Sequence, residues 1–356
     1  MQAAVFSFSQ RGAELSKKVA LFLAEAGYED IELATMAKYS AASGVPAYEL
    51  DYKEAARQAF RSCQTIVFIG ATAIAVRAIA PYLQSKLTDP AVITMDEKAN
   101  FVIPLVAGHI GGANELSRAL AAELGGQACV TTATDVNHYF AVDEWAARNN
   151  LVISSLNAAK DFAAALVNGG TVGLAVDPEF TIVGQLPRNV LLDEYQEIGV
   201  AVTLDNSRNP FGTTLRLLPK IVHLGIGCRR NTPLENIEAL VLMVMEQLHL
   251  DMRSVVSLAS VDLKKDEQGL LAFAAKYNLG ANFYTAEELN ELEGDFTPSA
   301  FVKSIVGVSN VCERSAVKDS GGGRLLLRKT ALNGVTVAIA VEALALDFNK
   351  TGLRNK

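Results

Sequence analysis

Short apolar runs alternate with amphipathic segments in the N-terminal part of the chain. Residues 3–8 form an apolar run typical of a buried strand, and apolar positions then recur at helical spacing over residues 12–26. Two further apolar runs, at residues 65–69 and 101–106, are also followed by segments with helical periodicity. This alternation predicts an α/β fold with a mostly parallel sheet and helices on both of its faces.

The pattern changes near residue 150, so we predict more than one domain. We expect an N-terminal α/β domain, a small α/β middle domain and a C-terminal α/β domain at residues 1–148, 149–218 and 219–356. Residues 218–220 are the predicted linker before the last domain. In that domain, Thr232 with Glu235 and Thr285 with Glu288 have the spacing of capping boxes at helix starts.

Charge and cysteine content restrict the partners and the compartment. The chain has 32 basic and 39 acidic residues, a net charge of −7, and no long basic run, which argues against nucleic acid as a partner. Cys63, Cys129, Cys228 and Cys312 stand far apart without a C-x-x-C pair, as is typical of a reducing compartment. The first residues do not resemble a signal peptide, and no apolar window is long enough for a membrane span. We therefore expect a soluble, cytoplasmic protein with no membrane partner.

The densest chemistry lies in the turn after the apolar run at residues 101–106. Gly108, Gly111 and Gly112 are found there, and Asn114 stands at the start of the following helix. A glycine-rich turn before a helix N-terminus presents backbone N–H groups and a partial positive charge to a ligand. The turn is therefore a candidate ligand-binding site, although a tight structural connection is the alternative.

His109, within this turn, is the candidate proton carrier. The helix dipole behind it disfavours the protonated form, so we expect a neutral imidazole that takes a proton from water near pH 7. Glu115 and Asp135 are the next candidates for the base. The alternative is that His109 is only a hydrogen-bonded structural residue.

Other turns follow neighbouring strands of the predicted sheet. Gly70 and Thr72 follow the apolar run at residues 65–69, and Thr132 follows a later one. Because ligands bind at the carboxyl ends of parallel strands, we expect Gly70, Thr72 and His109 to line one cleft. Thr132 either lines that cleft or belongs to a polar turn that caps the next helix, and the sequence supports the two interpretations equally.

The C-terminal third contains a second glycine-rich loop. Gly225 and Gly227 precede Arg229 and Arg230, and a helix starts directly afterwards. Paired arginines in such a loop are either solvated or a clamp for ligand carboxylates. The adjacent helix N-terminus favours anion binding.

Five short motifs, in order along nearly the whole chain, resemble those of the cobalt-precorrin 5A hydrolase family (CbiG) of anaerobic cobalamin biosynthesis. They are AVRAIAP at residues 75–81, AGHIGGAN at 107–114, TTATDVN at 131–137, GIGCRR at 225–230 and SNVCE at 309–313. Three residues depart from the family pattern. Ala107 stands where we expect serine, and Ala99 and Asn231 stand where we expect glycine.

The resemblance implies a three-domain enzyme and a reaction. Water opens the δ-lactone of cobalt-precorrin 5A, and a two-carbon unit leaves as acetaldehyde to give cobalt-precorrin 5B. Arg77, Arg229 and Arg230 are expected to bind the acetate and propionate arms of this substrate. Asn310 and Glu313, from the last motif, complete the substrate-binding candidates.

Cobalt enters with the substrate, so we expect no cofactor of the protein itself. Four scattered histidines show no metal-ligand spacing, and no metal site is predicted. A homodimer is left open. The alternatives in function are a non-catalytic tetrapyrrole-binding protein and an α/β sugar-phosphate enzyme that uses the same glycine turns for phosphate.

Overall fold

The computed structural model describes residues 1–49, 51–85, 88–109, 111–137, 139–298 and 310–349. These residues form two compact units, Met1–Arg148 and Asn149–Asn349. Both units are mixed α/β, as the hydrophobic pattern predicts. Among the described residues, no helix combines the length and the apolar character needed to cross a bilayer.

The first unit is built on a sheet of six strands among the described residues, in the order β2-β1-β3-β4-β5-β6. Its elements are β1 (Gln2–Ser7), α1 (Gln10–Glu25), β2 (Asp30–Ala34), α2 (Ala37–Ser43), α3 (Tyr52–Ser62), β3 (Thr65–Ile69), α4 (Thr72–Ile79), β4 (Ala91–Met95), β5 (Phe101–Val106), α5 (Ala113–Leu124), β6 (Gln127–Ala128), α6 (Ala133–Val136) and α7 (Val142–Arg148). Alternate residues of β1 face opposite cores: Val5 packs with α1 and α5, and Phe6 packs with α3 and α4. The predicted helices therefore do cover both faces of the sheet.

The direction of β5 decides where the glycine-rich turn lies. Strands β1 to β4 are parallel, whereas β5 runs antiparallel to β4, with Val106 opposite Val92 and Val102 opposite Met95. The carboxyl end of β5 is therefore at the edge where β3 and β4 begin. Only residues 96–100 connect β4 to β5, which is too short for the crossover that a parallel pair needs.

The second unit begins with a sheet ordered β10-β8-β11-β12-β7 among its described strands. Its elements are β7 (Leu151–Ile153), α8 (Leu156–Val167), β8 (Val172–Val176), β9 (Thr181–Val183), β10 (Val190–Leu192), β11 (Ile198–Val202) and β12 (Thr213–Pro219). Of the predicted linker at residues 218–220, Leu218 and Pro219 belong to β12 and pair with β7, and Lys220 follows the strand. The predicted domain division at this point thus falls inside one compact unit and stays a prediction.

The same unit continues with a sheet ordered β15-β14-β13-β17-β16. Its elements are β13 (Val222–Cys228), α9 (Leu234–Gln247), β14 (Val255–Val261), α10 (Gln268–Tyr277), β15 (Gly280–Tyr284), α11 (Ala286–Asn290), α12 (Val311–Asp319), β16 (Arg324–Leu332) and β17 (Val335–Val341); a last strand, β18 (Ala345–Asp347), pairs with β9. The capping box of Thr285 and Glu288 is confirmed. The one predicted at Thr232 is wrong: Pro233 is the N-cap, and the Thr232 hydroxyl donates to the Arg229 carbonyl.

Candidate active site and ligand pocket

His109 lies in the turn between β5 and α5. Backbone hydrogen bonds within the turn stabilise its conformation. Gly112 has φ of 82°, in the left-handed region that favours glycine, and its N–H donates to the His109 carbonyl at 2.9 Å. The N–H of Asn114 donates to the Gly108 carbonyl at 2.9 Å. The Gly112 N–H therefore makes its hydrogen bond within the turn, whereas the sequence led us to expect that it would be available to a ligand. Ile110 lies outside the described residues.

Three carboxylates surround the His109 ring. Its Nε2 lies 2.8 Å from Asp135 Oδ2 and 3.7 Å from Glu144 Oε1, and its Nδ1 lies 3.2 Å from Asp143 Oδ1. The four side chains are mostly buried, with exposed fractions of 14% for His109, 9% for Asp135, 16% for Asp143 and 12% for Glu144. A partly buried imidazole between carboxylates gains strongly from carrying a proton.

The charges of this cluster shift its pKa values. Burial lowers the pKa of His109, but hydrogen bonds to Asp135 and Asp143 outweigh burial and raise it to about 10. Burial raises the pKa of Asp135, but His109 and Arg118 outweigh it and lower the pKa to about 2. Burial raises the pKa of Glu144. The neutral His109 expected from the helix dipole is therefore wrong, because three nearby carboxylates act more strongly than a helix terminus.

Asp135 is held in place by two side chains of α5. Asn114 Nδ2 donates to Asp135 Oδ2 at 2.9 Å and to Thr132 Oγ1 at 3.1 Å. Arg118 Nη2 donates to Asp135 Oδ1. The Thr132 side chain caps no helix and instead accepts from Asn114, so the TTATD and GAN motifs meet in one hydrogen-bonded network.

A cavity of about 390 Å³ reaches this cluster from the edge where β3 and β4 begin. His109, Gly111, Glu115, Glu144 and Arg148 contribute to its wall. Arg148 Nη2 donates to Glu144 Oε2 at 2.8 Å, and its Nε lies 3.9 Å from Glu115 Oε2. The predicted catalytic residues are thus gathered in one region.

Sequence reasoning missed Asp143 and Glu144. They lie in the first turn of α7, only eight and nine positions after Asp135. Two adjacent acidic residues in a first turn usually only complement the helix dipole. The short distance along the chain from the TTATD motif was the available signal.

Gly70, Thr72 and Arg77 do not join this site. Gly70 follows the carboxyl end of β3, where its N–H donates to the Met95 carbonyl, and α4 with Thr72 and Arg77 starts from the same edge. His109 is at the opposite edge, because β5 is antiparallel. The expected common cleft of Gly70, Thr72 and His109 is therefore wrong.

A second cavity, of about 800 Å³, lies in the second unit at the carboxyl ends of β13 and β14. Gly227 lines it together with four cationic side chains: Arg229, Arg230, Lys264 and Lys329. Apolar side chains form much of the remaining wall, namely Val261, Leu263, Val311, Ala331, Leu332 and Val335. An apolar wall with cations suits a large, flat, polycarboxylate ligand.

The hairpin that joins β16 to β17 also lines this cavity. Asn333 and Gly334 both have positive φ, 49° and 80°, as a two-residue I′ turn requires. The Arg229 N–H donates to the Gly334 carbonyl at 3.2 Å, so the hairpin supports the arginine loop. The Asn-Gly pair was a signal in the sequence that could have identified this part of the cavity wall. No feature of the sequence pointed to Lys264 and Lys329.

The remaining predicted residues of this unit have internal partners. A Cβ on Gly225 would lie 1.8 Å from the Cys312 carbonyl oxygen, so this glycine allows α12 to pack closely on β13. Asn310 caps α12 through its side chain, although it also lines the cavity. Glu313 is fully buried and accepts from the Thr297 N–H and the Lys329 N–H, both at 2.8 Å. Gly225 thus has a role in helix packing, and Glu313 has a role in holding the backbone at Thr297 and Lys329.

Comparisons with known proteins agree across the chain. Models of the cobalamin synthesis G N-terminal part, the cobalamin biosynthesis central region and the cobalamin synthesis G C-terminus match residues 54–135, 140–219 and 222–340. A cobalt-precorrin-5A hydrolase from Salmonella typhimurium is 36% identical over 95% of this chain and 97% of its own length. One from Priestia megaterium is 32% identical over 79% of each chain. A solved cobalamin biosynthesis protein G homolog from Sulfolobus solfataricus is 21% identical with a TM-score of 0.42, over 96% of this chain and 97% of that one.

The fold and the two sites define a multidomain α/β protein with a histidine–carboxylate centre in one unit and a cationic, apolar-walled pocket in the other. The family models cover most of the length, and the relatives align over nearly all of it. The chain belongs to the cobalamin synthesis G (CbiG) family.

Proposed function

We propose that this chain is a cobalt-precorrin-5A hydrolase that opens the δ-lactone of its substrate in anaerobic cobalamin biosynthesis. The name is that of its relatives from Salmonella typhimurium and Priestia megaterium. The observation that carries the chemistry is His109, held between Asp135 and Glu144 on the wall of a cavity. A lactone hydrolase needs a positive group for the developing oxyanion and a base for water, and this cluster contains both.

The protonation states assign the roles within the cluster. With a pKa of about 10, His109 is a cation near pH 7, and its positive charge on the cavity wall stabilises the negative charge that develops on the lactone carbonyl oxygen. Glu144 is the base that we assign to water, because burial raises its pKa and its Oε1 has no hydrogen-bond partner among the described residues. Asp135 keeps His109 protonated and oriented, and Glu115 lies on the same wall as a further candidate.

The bonds change in a defined order in this proposal. Water adds to the lactone carbonyl carbon, its proton passes to Glu144, and the ring C–O bond breaks to leave a carboxylate and an alcohol. Glu144 releases that proton to solvent and then takes the proton of the alcohol as the adjacent C–C bond breaks in retro-aldol fashion. The conjugated macrocycle accepts the electron pair, and acetaldehyde leaves.

The second cavity is the site that we assign to substrate recognition. Its apolar wall fits the face of a macrocycle, and Arg229, Arg230, Lys264 and Lys329 fit the carboxylate arms. We also propose a cytoplasmic location, since the four cysteines are unpaired thiols. The absence of a nucleic-acid partner stays a prediction, and a homodimer stays open.

The test is acetaldehyde release by the His109→Asn variant. We expect substrate binding within about twofold of the wild type and a kcat lower by about 10²–10⁴-fold, because asparagine has similar reach but carries no charge. Thermal unfolding on the same preparation separates a loss of rate from a loss of folded protein. A folded variant with near-normal turnover would exclude His109 from the reaction. A wild-type protein that binds the corrinoid without releasing acetaldehyde would support the non-catalytic carrier instead.

A further inference from the structure

We infer that His109, Asp135 and Glu144 bind one first-row divalent transition-metal cation of the Zn²⁺ type. This site is additional to the cobalt that the substrate carries, and it departs from the expectation that the protein has no metal site. The inference goes beyond the proposed function, because the cation binds to the protein alone. It rests on the donor set, its spacing and the groups that orient it.

The donor atoms have the chemistry and the spacing of a metal site. One ring nitrogen and two carboxylate oxygens, from His109, Asp135 and Glu144, all lie within 4.8 Å of one another. Ligands about 2.1 Å from a tetrahedral Zn²⁺ are about 3.4 Å apart. The distances from His109 Nε2 to Asp135 Oδ2 and Glu144 Oε1, 2.8 and 3.7 Å, lie on either side of that value. Small side-chain movements therefore complete the site.

Glu144 provides an independent indication. Its Oε1 is buried and has no hydrogen-bond partner among the described residues, although a buried carboxylate oxygen normally has one. Its other oxygen accepts from Arg148 Nη2 at 2.8 Å, which fixes the carboxylate with Oε1 toward His109. A cation between His109 and Glu144 would satisfy this oxygen.

The surrounding hydrogen bonds orient the ligands as in known metal sites. A metal-bound histidine usually donates its other ring N–H to a carboxylate, and His109 Nδ1 lies 3.2 Å from Asp143 Oδ1. That contact leaves Nε2 directed at Asp135 and Glu144. Asp135 is itself oriented by Asn114 Nδ2 at 2.9 Å. A carboxylate ligand with its own donor is the second part of the same pattern.

The position of the site gives the cation a chemical role. His109 and Glu144 line the cavity of about 390 Å³, so the fourth coordination position is accessible to water or to a carbonyl oxygen. The cation takes the place of the proton on His109 Nε2 and puts positive charge at the same point. With Glu144 as a ligand, the role of base for water passes to Glu115 on the same cavity wall. A metal there polarises a lactone carbonyl or lowers the pKa of bound water.

The experiment uses the full chain without a histidine tag, dialysed against chelator and then titrated with Zn²⁺ by calorimetry and with Co²⁺ by visible absorption. We expect about one equivalent of Zn²⁺ to bind. In Asp143→Asn we expect affinity to fall by about 10–100-fold, because Asp143 only orients His109. In Glu144→Gln, which removes a ligand, the loss should be larger. Glu123→Gln, an exposed residue of α5 with the same charge change, is the control and should bind like the wild type.

The titrations contain no substrate, so their results test the metal site independently of the proposed hydrolase activity. Absence of Zn²⁺ binding to the wild type, or equal affinity in Glu144→Gln and Glu123→Gln, overturns the inference and leaves the proposed hydrolase untouched. Co²⁺ absorption bands typical of nitrogen and oxygen ligands that disappear in Glu144→Gln support it. Glu144→Gln keeps the fold testable, since Oε1 makes no hydrogen bond whose loss would unfold the protein.

Discussion

Asp135 Oδ2 lies 2.8 Å from His109 Nε2, although the two residues are 26 positions apart in the chain. This contact joins the turn after β5 to the short helix α6. Against the effect of burial, this contact acts together with Asp143 and Glu144 to raise the pKa of His109 to about 10, whereas a neutral base was expected at a helix N-terminus. The chemistry of the site therefore depends on a neighbour that local sequence does not reveal.

Replacing Asp135 by Asn should make the activity sensitive to alkaline pH. The carboxylate raises the pKa of His109, so its removal should lower that pKa by about 1–3 units, and the protonated form should be lost at lower pH. The alkaline limb of the kcat/KM profile should move in the same direction. Histidine NMR titration, assigned with His109→Asn, measures the pKa directly. An unchanged alkaline limb in a folded Asp135→Asn protein would contradict the proposed acid role of His109.

Arg229 and Arg230 should contribute unequally to substrate binding. Arg230 already donates to Asp266 at 2.6 Å and to the Leu263 carbonyl at 2.9 Å, so binding a substrate carboxylate requires it to exchange partners. We expect Arg229→Ala to weaken corrinoid binding by about tenfold or more and Arg230→Ala to weaken it less. Spectroscopic titration measures both.

Arg253→Ala is the matched control for this pair, because Arg253 is an arginine of the same unit that pairs with Asp251 outside the cavity. Its affinity for the corrinoid should equal that of the wild type. Normal affinity in both Arg229→Ala and Arg230→Ala would assign the two arginines to a solvated surface.

His223 should make the stability of the second unit depend on pH. Its Nδ1 lies 2.7 Å from Asp319 Oδ2 and its Nε2 lies 2.7 Å from Glu342 Oε1. Burial lowers the pKa of His223, but the two carboxylates outweigh it and raise the pKa above 6.5. Burial raises the pKa of Asp319, but the hydrogen bond from His223 and those from Ser257, Tyr284 and Asn282 lower it below 3.8.

The two shifts act at opposite ends of the pH range. The histidine contribution is fully present below pH 6.5 and is lost as pH rises through the folded pKa of His223. The Asp319 contribution is present above pH 3.8 and is lost as pH falls through its folded pKa. His223→Asn should cost about 3 kcal/mol of unfolding free energy near pH 6, and less at pH 10, measured by denaturant unfolding. His249→Asn, at an exposed position, should show no such difference; equal losses at both pH values in His223→Asn would refute the charged pair.

Position 231 should accept glycine without loss of stability, whereas alanine there should destabilise the protein. It has φ of 57°, in the left-handed region, where asparagine is accepted and alanine is strained. Asn231→Ala should lower the free energy of unfolding by about 1 kcal/mol, and Asn231→Gly should leave it nearly unchanged. Thermal unfolding of the two variants checks this, and equal stability would show that the loop relaxes to another conformation.

The sequence alone predicted the α/β class, and it singled out the turn that contains His109 as the candidate site. The family pattern also led us to expect glycine at residues 99 and 231, and Ala99 and Asn231 indeed have φ of 58° and 57°. Turn chemistry of this kind is local, because a few neighbouring residues determine the backbone conformation. The same is true of the capping box at Thr285 and Glu288.

Tertiary structure decided which residues meet. Hydrophobic periodicity shows that a strand is buried but not in which direction it runs, and the antiparallel β5 moved His109 away from Gly70 and Thr72. The same arrangement brought Asp143 and Glu144 to the imidazole and made it a cation. Electrostatic energies depend on distance in space, and the hydrophobic pattern along the chain does not contain that distance.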